Sequence, residues 1–403
     1  MGDILFLCHR IPYPPNRGDK IRAFNILKYL SQKRRVHLVT FADECGDMAH
    51  KAAIARYTAS QAVVWRGKSN EAAALEALVR HKPVSLTAFE NRALQSAIDR
   101  LFEHSDIDTI YCFSGQMAQY VPLKPRARFI MDFCDVDSVK FDQYATTEAF
   151  PKNLMMKREA RLLGAYERGI ASRARASLFV SDAEAELFRR RSGAERVMTV
   201  ENGIDTGQFD PRAAFRPVDE AGPLIVFTGQ MDYPPNVEAV RWFANDILPH
   251  VRERHAKARF AIVGRNPTEA VKALASDGVI VTGEVEDVRG WLAAASVAVA
   301  PLKLARGIQN KVLEAMAMGL PVVATSSAAE GIDHDGTIRA SDDTTGFAEQ
   351  VCALLSDAKG ARAQGKAARE RVIARYGWDA RLAALDDLVG QGRPQAAGLR
   401  NAA

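Results

Sequence analysis

The sequence lacks the features that mark several protein classes. Its five cysteines are scattered and form no Cys-x-x-Cys pair, which favours free thiols in a reducing compartment. None of the eight histidines stands in a ligand spacing such as H-E-x-x-H, so no metal site is predicted. The longest nearly uncharged apolar run, residues 291–302, is shorter than the roughly 20 residues that span a bilayer. No G-x-G-x-x-G follows the first strand of either half, which argues against a dehydrogenase.

The chain also lacks a large excess of charge of one sign. The chain has 54 Lys and Arg against 49 Asp and Glu, a net charge of +5. This excess is too small to predict nucleic-acid binding, but it is compatible with an anionic ligand or with peripheral contact to an anionic membrane. The chain opens on an apolar strand, I-L-F-L-C, without the basic region and cleavage site of a signal peptide. We therefore expect a cytoplasmic protein, with any membrane contact peripheral and on the inner face.

The length of 403 residues predicts two domains, because single cores rarely grow past ~250–300 residues. Short apolar runs alternate with helical patterns, which is typical of βα units and parallel sheets, so the predicted fold class is α/β. The Pro- and charge-rich residues 211–223 are the predicted linker. We expect one domain over 1–210, a second over 211–375, and over 376–403 a helix returning toward the first domain, with a frayed tail. Strands are predicted at 4–7, 36–41, 109–113, 128–132, 177–180, 197–200, 224–228, 260–263, 279–282, 297–300 and 321–324.

The most informative segment is residues 305–325, A-R-G-I-Q-N-K-V-L-E-A-M-A-M-G-L-P-V-V-A-T. Gly307 opens a short amphipathic helix that carries Lys311 and Glu314 and ends at a Gly and a Pro. A loop that opens a helix presents unpaired amides and the positive end of the helix dipole, which suits a diphosphate. A carboxylate one turn into the helix can accept hydrogen bonds from vicinal sugar hydroxyls. The segment therefore predicts a sugar-nucleotide site at the carboxyl edge of a parallel sheet.

The E-A-M-A-M-G-L-P-V-V core of this segment resembles the donor-site signature of the retaining glycosyltransferases of family 4. The fuller string A-R-G-I-Q-N-K-V-L-E is similar to sugar transferases of exopolysaccharide and exosortase systems. The resemblance implies the GT-B fold, in which two Rossmann-like parallel-sheet domains face an interdomain cleft. It also implies transfer with retention and without a metal or other cofactor. In the family, the glutamate that corresponds to Glu314 binds the ribose hydroxyls.

Two positions depart from the family pattern, and both concern charge. An upstream glutamate that contacts the transferred sugar is replaced by Arg306. The turn after the strand 224–228 offers Gly229 and Gln230 where many members have an Arg and a Lys. Departure of the leaving group builds negative charge on the β-phosphate, which a cation or dipole must stabilise. Arg306 and Lys311 are the predicted catalytic replacements; the alternative is that both only solvate a loop. The predicted donor-binding residues are Gly18, Gly229, Gln230, Gly307, Ile308, Gln309, Asn310 and Glu314.

A Pro- and Gly-containing loop follows the first strand and leads into Arg17-Gly18-Asp19, where a helix begins. Asp19 is a predicted helix cap. By resemblance, this loop approaches the donor phosphates or the acceptor, and Arg17 and Asp19 are predicted on the acceptor side. Loops of this composition after strands are common, so the residues alone do not decide between a site and a connection.

The string M-D-F-C-D-V-D-S follows another apolar strand and contains a D-x-D triplet at Asp135 and Asp137. This triplet is the metal–nucleotide motif of the single-domain GT-A transferases, a fold that two α/β halves argue against. The family often has a histidine at this strand end, but here Asp132 and Asp135 are the nearest polar residues. Either could orient the acceptor hydroxyl or act as its base. The alternative is helix capping by Asp135 or Asp137.

A long helix is predicted over residues 153–175, with a basic band along one side. Two interpretations remain open: a solvated basic face, or a landing face for an anionic lipid or a lipid-diphosphate acceptor. The band consists of Lys157, Arg161, Arg168 and Arg175.

The sequence as a whole predicts a glycosyltransferase that moves a sugar from a nucleotide donor to a glycan or lipid-linked saccharide, in exopolysaccharide biosynthesis. Two alternatives share the same donor site. A sugar-nucleotide epimerase of this fold would convert the donor without an acceptor. A non-catalytic sugar-nucleotide-binding subunit would bind the donor without turnover.

Overall fold

The computed structural model describes residues 2–15, 17–44, 46–220, 222–305 and 308–390, without the side chain of Thr147. The chain divides into two compact units. Unit 1 is the described part of Met1–Asn202 together with that of Leu382–Ala403, and unit 2 is Gly203–Arg381. The first boundary thus lies at Asn202, eight residues before the predicted position.

Contacts of the segment after Asn202 explain this boundary. The Ile204 amide donates to the carbonyl of Tyr376 (2.7 Å), and Arg369 pairs with Asp210 (2.7 Å). A Cβ at Gly203 would lie 2.6 Å from the Cα of Trp378, so only glycine allows this close approach. Residues 203–223 therefore belong to unit 2, and the predicted linker is part of that unit.

Unit 1 is built on a seven-stranded sheet in the order β3-β2-β1-β4-β5-β6-β7, with parallel neighbours throughout. Its central strands are almost completely buried, as expected for a sheet covered on both faces by helices. The strands are β1 Asp3–Cys8, β2 Val36–Ala42, β3 Ser60–Trp65, β4 Ile107–Phe113, β5 Arg128–Cys134, β6 Ala176–Phe179 and β7 Val197–Thr199. The helices are α1 Gly18–Lys33, α2 Lys51–Ala55, α3 Asn70–Val79, α4 Val84–Thr87, α5 Arg92–His104, α6 Asp137–Thr147, α7 Lys152–Arg173 and α8 Asp182–Ser192, with 3-10 turns at Asp47–His50 and Gly115–Tyr120.

Unit 2 is built on a six-stranded parallel sheet in the order β10-β9-β8-β11-β12-β13. The strands are β8 Leu224–Thr228, β9 Arg259–Val263, β10 Val279–Gly283, β11 Val297–Ala300, β12 Val322–Ala324 and β13 Ile338–Ala340. The helices are α9 Pro234–Trp242, α10 Leu248–Arg254, α11 Glu269–Lys272, α12 Arg289–Ala294, α13 Asn310–Ala317, α14 Ser326–Ala329, α15 Thr344–Ser356, α16 Ala358–Tyr376 and α17 Trp378–Leu382, with a π-helical turn at Phe243–Ile247.

The predicted class of two parallel-sheet α/β domains is confirmed. Two strands were not predicted, β3 and β13, and each lies at an edge of its sheet. Their residues are mostly only partly buried, so their sequences lack the continuous apolar run of the inner strands. No helix in the described ranges is long and apolar enough to cross a membrane.

The C-terminal helix is broken rather than continuous. After α17, a 3-10 turn at Ala383–Leu385 leads into α18, Asp386–Val389, in unit 1. The hydroxyl of Tyr29 donates to Asp386 (2.8 Å), and Arg34 donates to the carbonyl of Val389 (2.7 Å). These bonds attach α18 to α1 and to the C-cap residue after it, within unit 1. The frayed tail is predicted from Gly390, and its residues after 390 lie outside the described residues.

Candidate functional site

At the carboxyl edge of the sheet in unit 2, glycine residues leave the main chain uncovered by side chains. Gly229 follows β8 and donates its amide to the carbonyl of Val263, the last residue of β9 (3.0 Å). The next residue, Gly264, has a φ of 154°, and a Cβ there would lie 1.6 Å from the carbonyl oxygen of Gly229. Only glycine fits this contact. A ligand can therefore approach the main chain closely at this edge.

Lys311, in the first turn of α13, lies beside Gly229. A Cβ at Gly229 would be 3.1 Å from the Lys311 Nζ, which donates to the Asn236 Oδ1 (2.5 Å). The same ammonium lies 4.1 Å from the ring centroid of Phe227, in cation–π geometry. Burial lowers the pKa of Lys311 to about 8. The predicted pairing of Lys311 with the Gly229 turn is therefore present, with the cation held by an amide and an aromatic face.

A cation does lie at the turn after β8, and it belongs to the residues that follow the neighbouring strand β9. Arg265, which follows Gly264, donates to the Gln230 Oε1 (3.1 Å), and both side chains are exposed. Asn236 is buried and donates from its Nδ2 to the Gln230 carbonyl (2.9 Å), which orients its Oδ1 toward Lys311. Sequence reasoning missed Asn236 and Arg265. The signal for Arg265 was a Gly-Arg pair directly after an apolar strand adjacent to β8.

Glu314 lies three residues after Lys311 in α13 and is half-buried. Its carboxylate accepts no hydrogen bond from a described residue. Burial raises the pKa of Glu314 to about 7, and the charge of Lys311 opposes this rise. A partly buried carboxyl without a protein donor is available to hydroxyl groups of a ligand.

The other predicted donor residues surround the start of α13. Gln309 is the N-cap residue and its side chain makes no capping hydrogen bond, while Asn310 is exposed in the first turn. Ile308 is half-buried and packs on the core of unit 2. Arg306 and Gly307, predicted as a cation and a phosphate-loop glycine, lie outside the described residues.

The two pKa values predict how nucleoside-diphosphate affinity depends on pH. Ribose hydroxyls donate to an ionised Glu314, so affinity should rise as the pH increases through about 7. The diphosphate requires a protonated Lys311, so affinity should fall as the pH increases through about 8. Calorimetry from pH 6 to 9 should give a maximum between these values. In Lys311→Arg the high-pH decline should disappear, because arginine stays charged; a decline that persists would contradict the assignment.

In unit 1 the end of β1 leads into a cluster of charges around Asp19. Asp19 pairs with the His9 Nε2 (3.3 Å), the Arg10 guanidinium (3.0 Å) and the Arg17 Nε (2.9 Å). Burial acts to raise the pKa of Asp19, but the bond and charge of His9, with the two arginines, hold it well below its usual range. Asp19 is thus an ion-pair centre inside the first turn of α1. The predicted cap is wrong, because Arg17 occupies the N-cap position.

Gly18 and His9 lie at the two ends of the same loop. A Cβ at Gly18 would meet no heavy atom within 4 Å, so protein packing does not require glycine there. His9 was not singled out in the sequence. Its ring stacks on Phe113 at 5.8 Å, and its Nδ1 is buried without a partner among the described residues. This places an imidazole next to the ends of β1 and β4.

Asp132 does not fit its predicted role as an acceptor base. Its side chain is 0% exposed, and its Oδ2 accepts from the Arg22 NH2 (2.9 Å) and the Tyr111 hydroxyl (2.8 Å). Arg22 is equally buried and also donates to the Asn202 Oδ1 (2.9 Å). Asp132 is therefore the counter-ion of a buried arginine, and a substrate cannot reach it in this structure.

Loss of this buried pair should destabilise unit 1. We expect Asp132→Ala to lower the free energy of unfolding by about 3–5 kcal/mol, because the Arg22 charge would remain buried without its partner. The control is Asp135→Ala, three residues on and partly exposed, which should change stability by less than about 1 kcal/mol. Urea unfolding of the two variants measures the difference. Equal stabilities would show that the pair does not carry this energy.

Asp135 and Asp137 share a lysine. The Nζ of Lys140 lies 2.9 Å from Asp135 and 3.2 Å from Asp137. Neither aspartate caps α6, so that alternative is wrong: the Ser138 amide instead donates to Glu167 (3.0 Å). Within the described ranges, no three His, Cys, Asp or Glu residues come together as a metal site. Asp135 remains partly exposed at the end of β5.

Backbone strain marks the same edge of the unit 1 sheet. Ser114 after β4 has a φ of 77°, and Cys134 at the end of β5 has a φ of 67°. Non-glycine residues rarely adopt such angles, and they concentrate at functional sites. Ser114 follows β4, the neighbour of the strand that leads into His9, and Cys134 directly precedes Asp135. Their positions favour this edge as the second functional region of the chain.

The chain is similar to known proteins in sequence. A family model described as "Glycosyl transferases group 1" matches residues 222–357. The GDP-mannose-dependent alpha-(1-6)-phosphatidylinositol monomannoside mannosyltransferase of Mycobacterium tuberculosis is 30% identical over 315 residues, 72% of this chain and 77% of that protein.

Solved structures show the same fold at low identity. Sucrose-phosphate synthase from Thermosynechococcus elongatus is 17% identical with a TM-score of 0.55, covering 96% of this chain and 98% of that one. Anabaena HepE in complex with UDP is 14% identical with a TM-score of 0.54 over the same shares. The predicted GT-B fold is thereby confirmed. The chain belongs to the group 1 glycosyltransferases.

Proposed function

We propose that this glycosyltransferase moves a sugar from a nucleotide-sugar donor to a glycan or lipid-linked saccharide, with retention of anomeric configuration. The observation that carries the proposal is the position of Lys311 at the start of α13 and against Gly229, with Glu314 one turn further. Bare amides and a cation suit a diphosphate, and the carboxyl suits a ribose.

The proposed chemistry assigns a task to each group. The bond between the sugar C1 and the β-phosphate oxygen breaks, and the acceptor oxygen bonds to C1 from the same face. The acceptor proton leaves with the nucleoside diphosphate, whose growing charge is stabilised by Lys311 and the α13 amides. Arg265 is proposed to add a second cation near Gln230. The proposal needs no metal, so EDTA should leave the rate unchanged.

On the acceptor side, Asp135 is proposed to orient the acceptor hydroxyl, since it is partly exposed at a strand end, unlike Asp132. His9, with Asp19 bound to its Nε2, is proposed to help position the acceptor. A role for Arg17 rests on its bond to Asp19. We propose a role in exopolysaccharide biosynthesis on the resemblance of the donor motif. A cytoplasmic location, with any membrane contact peripheral and on the inner face, is proposed on the scattered cysteines and the apolar first strand.

The donor is proposed to be a UDP- or GDP-sugar. The mycobacterial relative is named for its dependence on GDP-mannose, and HepE was solved with UDP. Thermal shift with a panel of nucleotide sugars identifies the donor, because a ligand raises the melting temperature by mass action. The selected donor is then incubated with and without lipid-linked saccharides, and the product anomer is read by NMR.

Acceptor-dependent product with the anomeric configuration of the donor is the expected result. Conversion of the donor without an acceptor would replace the proposal by an epimerase. Donor binding without turnover on any acceptor would replace it by a sugar-nucleotide-binding subunit. An inverted product would leave the transferase and remove retention.

A further inference from the structure

A cavity of about 260 Å³ lies in unit 1, between α6, α7 and α8. Its wall is unusually rich in positive charge: four cationic side chains against two carboxyls. Three of the cations come from the basic band of α7, and the fourth comes from α8. The cations are Lys157, Arg161, Arg168 and Arg191.

Three of these cations have no counter-ion in the described part of the chain. Lys157 and Arg161 are four residues apart on one helix face, and Arg168 lies two turns further. Like charges at this spacing destabilise a helix. Only Arg191 is paired, with Asp142 (2.7 Å). All four cations are exposed to solvent, and an anion in the cavity would relieve the repulsion among them.

Glu167, one of the two carboxyls in the wall, forms no ion pair with these cations in the described part of the chain. Glu167 accepts from both the amide (3.0 Å) and the hydroxyl (2.6 Å) of Ser138, and so caps the start of α6. Burial raises its pKa to about 7. Gly164 also lines the cavity, and an added Cβ there would be in ordinary van der Waals contact with Ser138 and Arg168, at 3.7 Å. The wall of the space thus combines cations with a residue that has no side chain.

The cavity adjoins the acceptor-side edge, since its wall contains Val136, which directly follows Asp135, and Ser138. Apolar side chains are exposed where α7 begins: Phe150 is 81% exposed and Leu154 is 62% exposed. An apolar surface beside a cluster of cations fits a molecule that joins a phosphate to a hydrocarbon chain.

We propose that this cavity binds a phosphate or diphosphate group carried by the acceptor, as in a lipid-linked saccharide. The inference rests on the proposed function only where it calls the bound molecule an acceptor. The site itself can be tested without transfer activity. Arginine forks and a lysine are the usual protein partners of phosphate oxygens.

Calorimetry with inorganic pyrophosphate tests the site in the full chain. The measurement uses a Lys311→Ala background, which is expected to remove most binding at the donor edge. We expect the double change Arg161→Gln with Arg168→Gln to weaken the remaining affinity at least tenfold. Arg175→Gln is the matched control, because Arg175 is an exposed arginine just past the end of α7 and does not line the cavity. Equal affinity in the double variant and the control would overturn the proposal.

A second variant separates the cavity from a merely basic surface. Gly164→Leu keeps every cation and fills the space, and a helix tolerates leucine better than glycine. It should lose pyrophosphate binding to the same extent as the double variant. Full affinity in Gly164→Leu, with the fold verified by circular dichroism, would overturn the cavity assignment. Because binding is measured directly, an absence of sugar transfer would count against the proposed function and not against this site.

Vesicles identify the carrier of the phosphate. Flotation with phosphatidylcholine vesicles that contain a polyprenyl diphosphate should exceed flotation with phosphatidylcholine alone, and Gly164→Leu should abolish the excess. That result assigns the group to a lipid-linked acceptor. Cavity-dependent pyrophosphate binding without this excess assigns it to a soluble phosphorylated acceptor and overturns the lipid-linked form of the proposal.

Discussion

Replacing Lys311 with alanine is expected to lower the rate constant of sugar transfer by about 10²–10³, the loss seen when one preorganised group that stabilises developing charge is removed. Its ammonium is fixed against Asn236 and Phe227, so it meets the leaving diphosphate without reorganising. Single-turnover kinetics measure the rate constant of the chemical step. Circular dichroism and the melting temperature should stay close to those of the wild type.

The matched control is Lys303→Ala, a half-exposed lysine on the loop between β11 and α13 that lies 3.9 Å from Glu238. It should leave the rate within about twofold, as surface charges contribute little. Calorimetry adds a second criterion: Lys311→Ala should weaken nucleoside-diphosphate binding more than nucleoside binding. Equal losses for the two ligands would show that Lys311 does not contact the diphosphate.

Replacing Glu314 with alanine is expected to weaken donor binding at least tenfold with the fold intact. Hydrogen bonds to a charged group contribute about 1.5–3 kcal/mol, and the Glu314 carboxylate has no protein donor among the described residues to compensate for a lost ligand. The measurement is the affinity for a nucleoside diphosphate in the wild type and the variant. Glu349→Ala, an exposed glutamate on α15, is the control.

A dideoxy analogue makes the ribose assignment sharper. The wild type should bind a 2′,3′-dideoxynucleoside diphosphate more weakly than the parent compound, whereas Glu314→Ala should bind the two alike. This cycle isolates the interaction between carboxyl and hydroxyls. Discrimination that survives in Glu314→Ala would mean that another group reads the ribose.

Sequence reasoning was strongest where a local pattern determines the structure. The inner strands, such as β1 and β8, are continuous apolar runs, and their order along the chain sufficed to predict two parallel sheets. The helix with Lys311 and Glu314 lies close to its predicted position. It ends where predicted because Gly319 and a Pro stop it. The edge strand β3 gave too weak a signal because it is buried only in part.

Sequence reasoning was weakest where partners are distant along the chain. Asp132 looked like a free carboxylate at a strand end, but Arg22, 110 residues earlier, neutralises it in the core. The cation near Gln230 was missed because it lies 35 residues away, after the adjacent strand β9. Such pairings depend on which strands become neighbours in the sheet, and no single sequence motif determines that order.

The contact between Gly229 and Gly264 limits how donor preference could be re-engineered. Two peptide groups touch there with no side chain between them, so even a methyl group at position 264 would push the loops apart. Libraries that randomise this pair would yield mostly misfolded protein. Arg265 and Gln230, which are exposed on the same edge, are the positions where substitution should leave the fold intact and change donor binding.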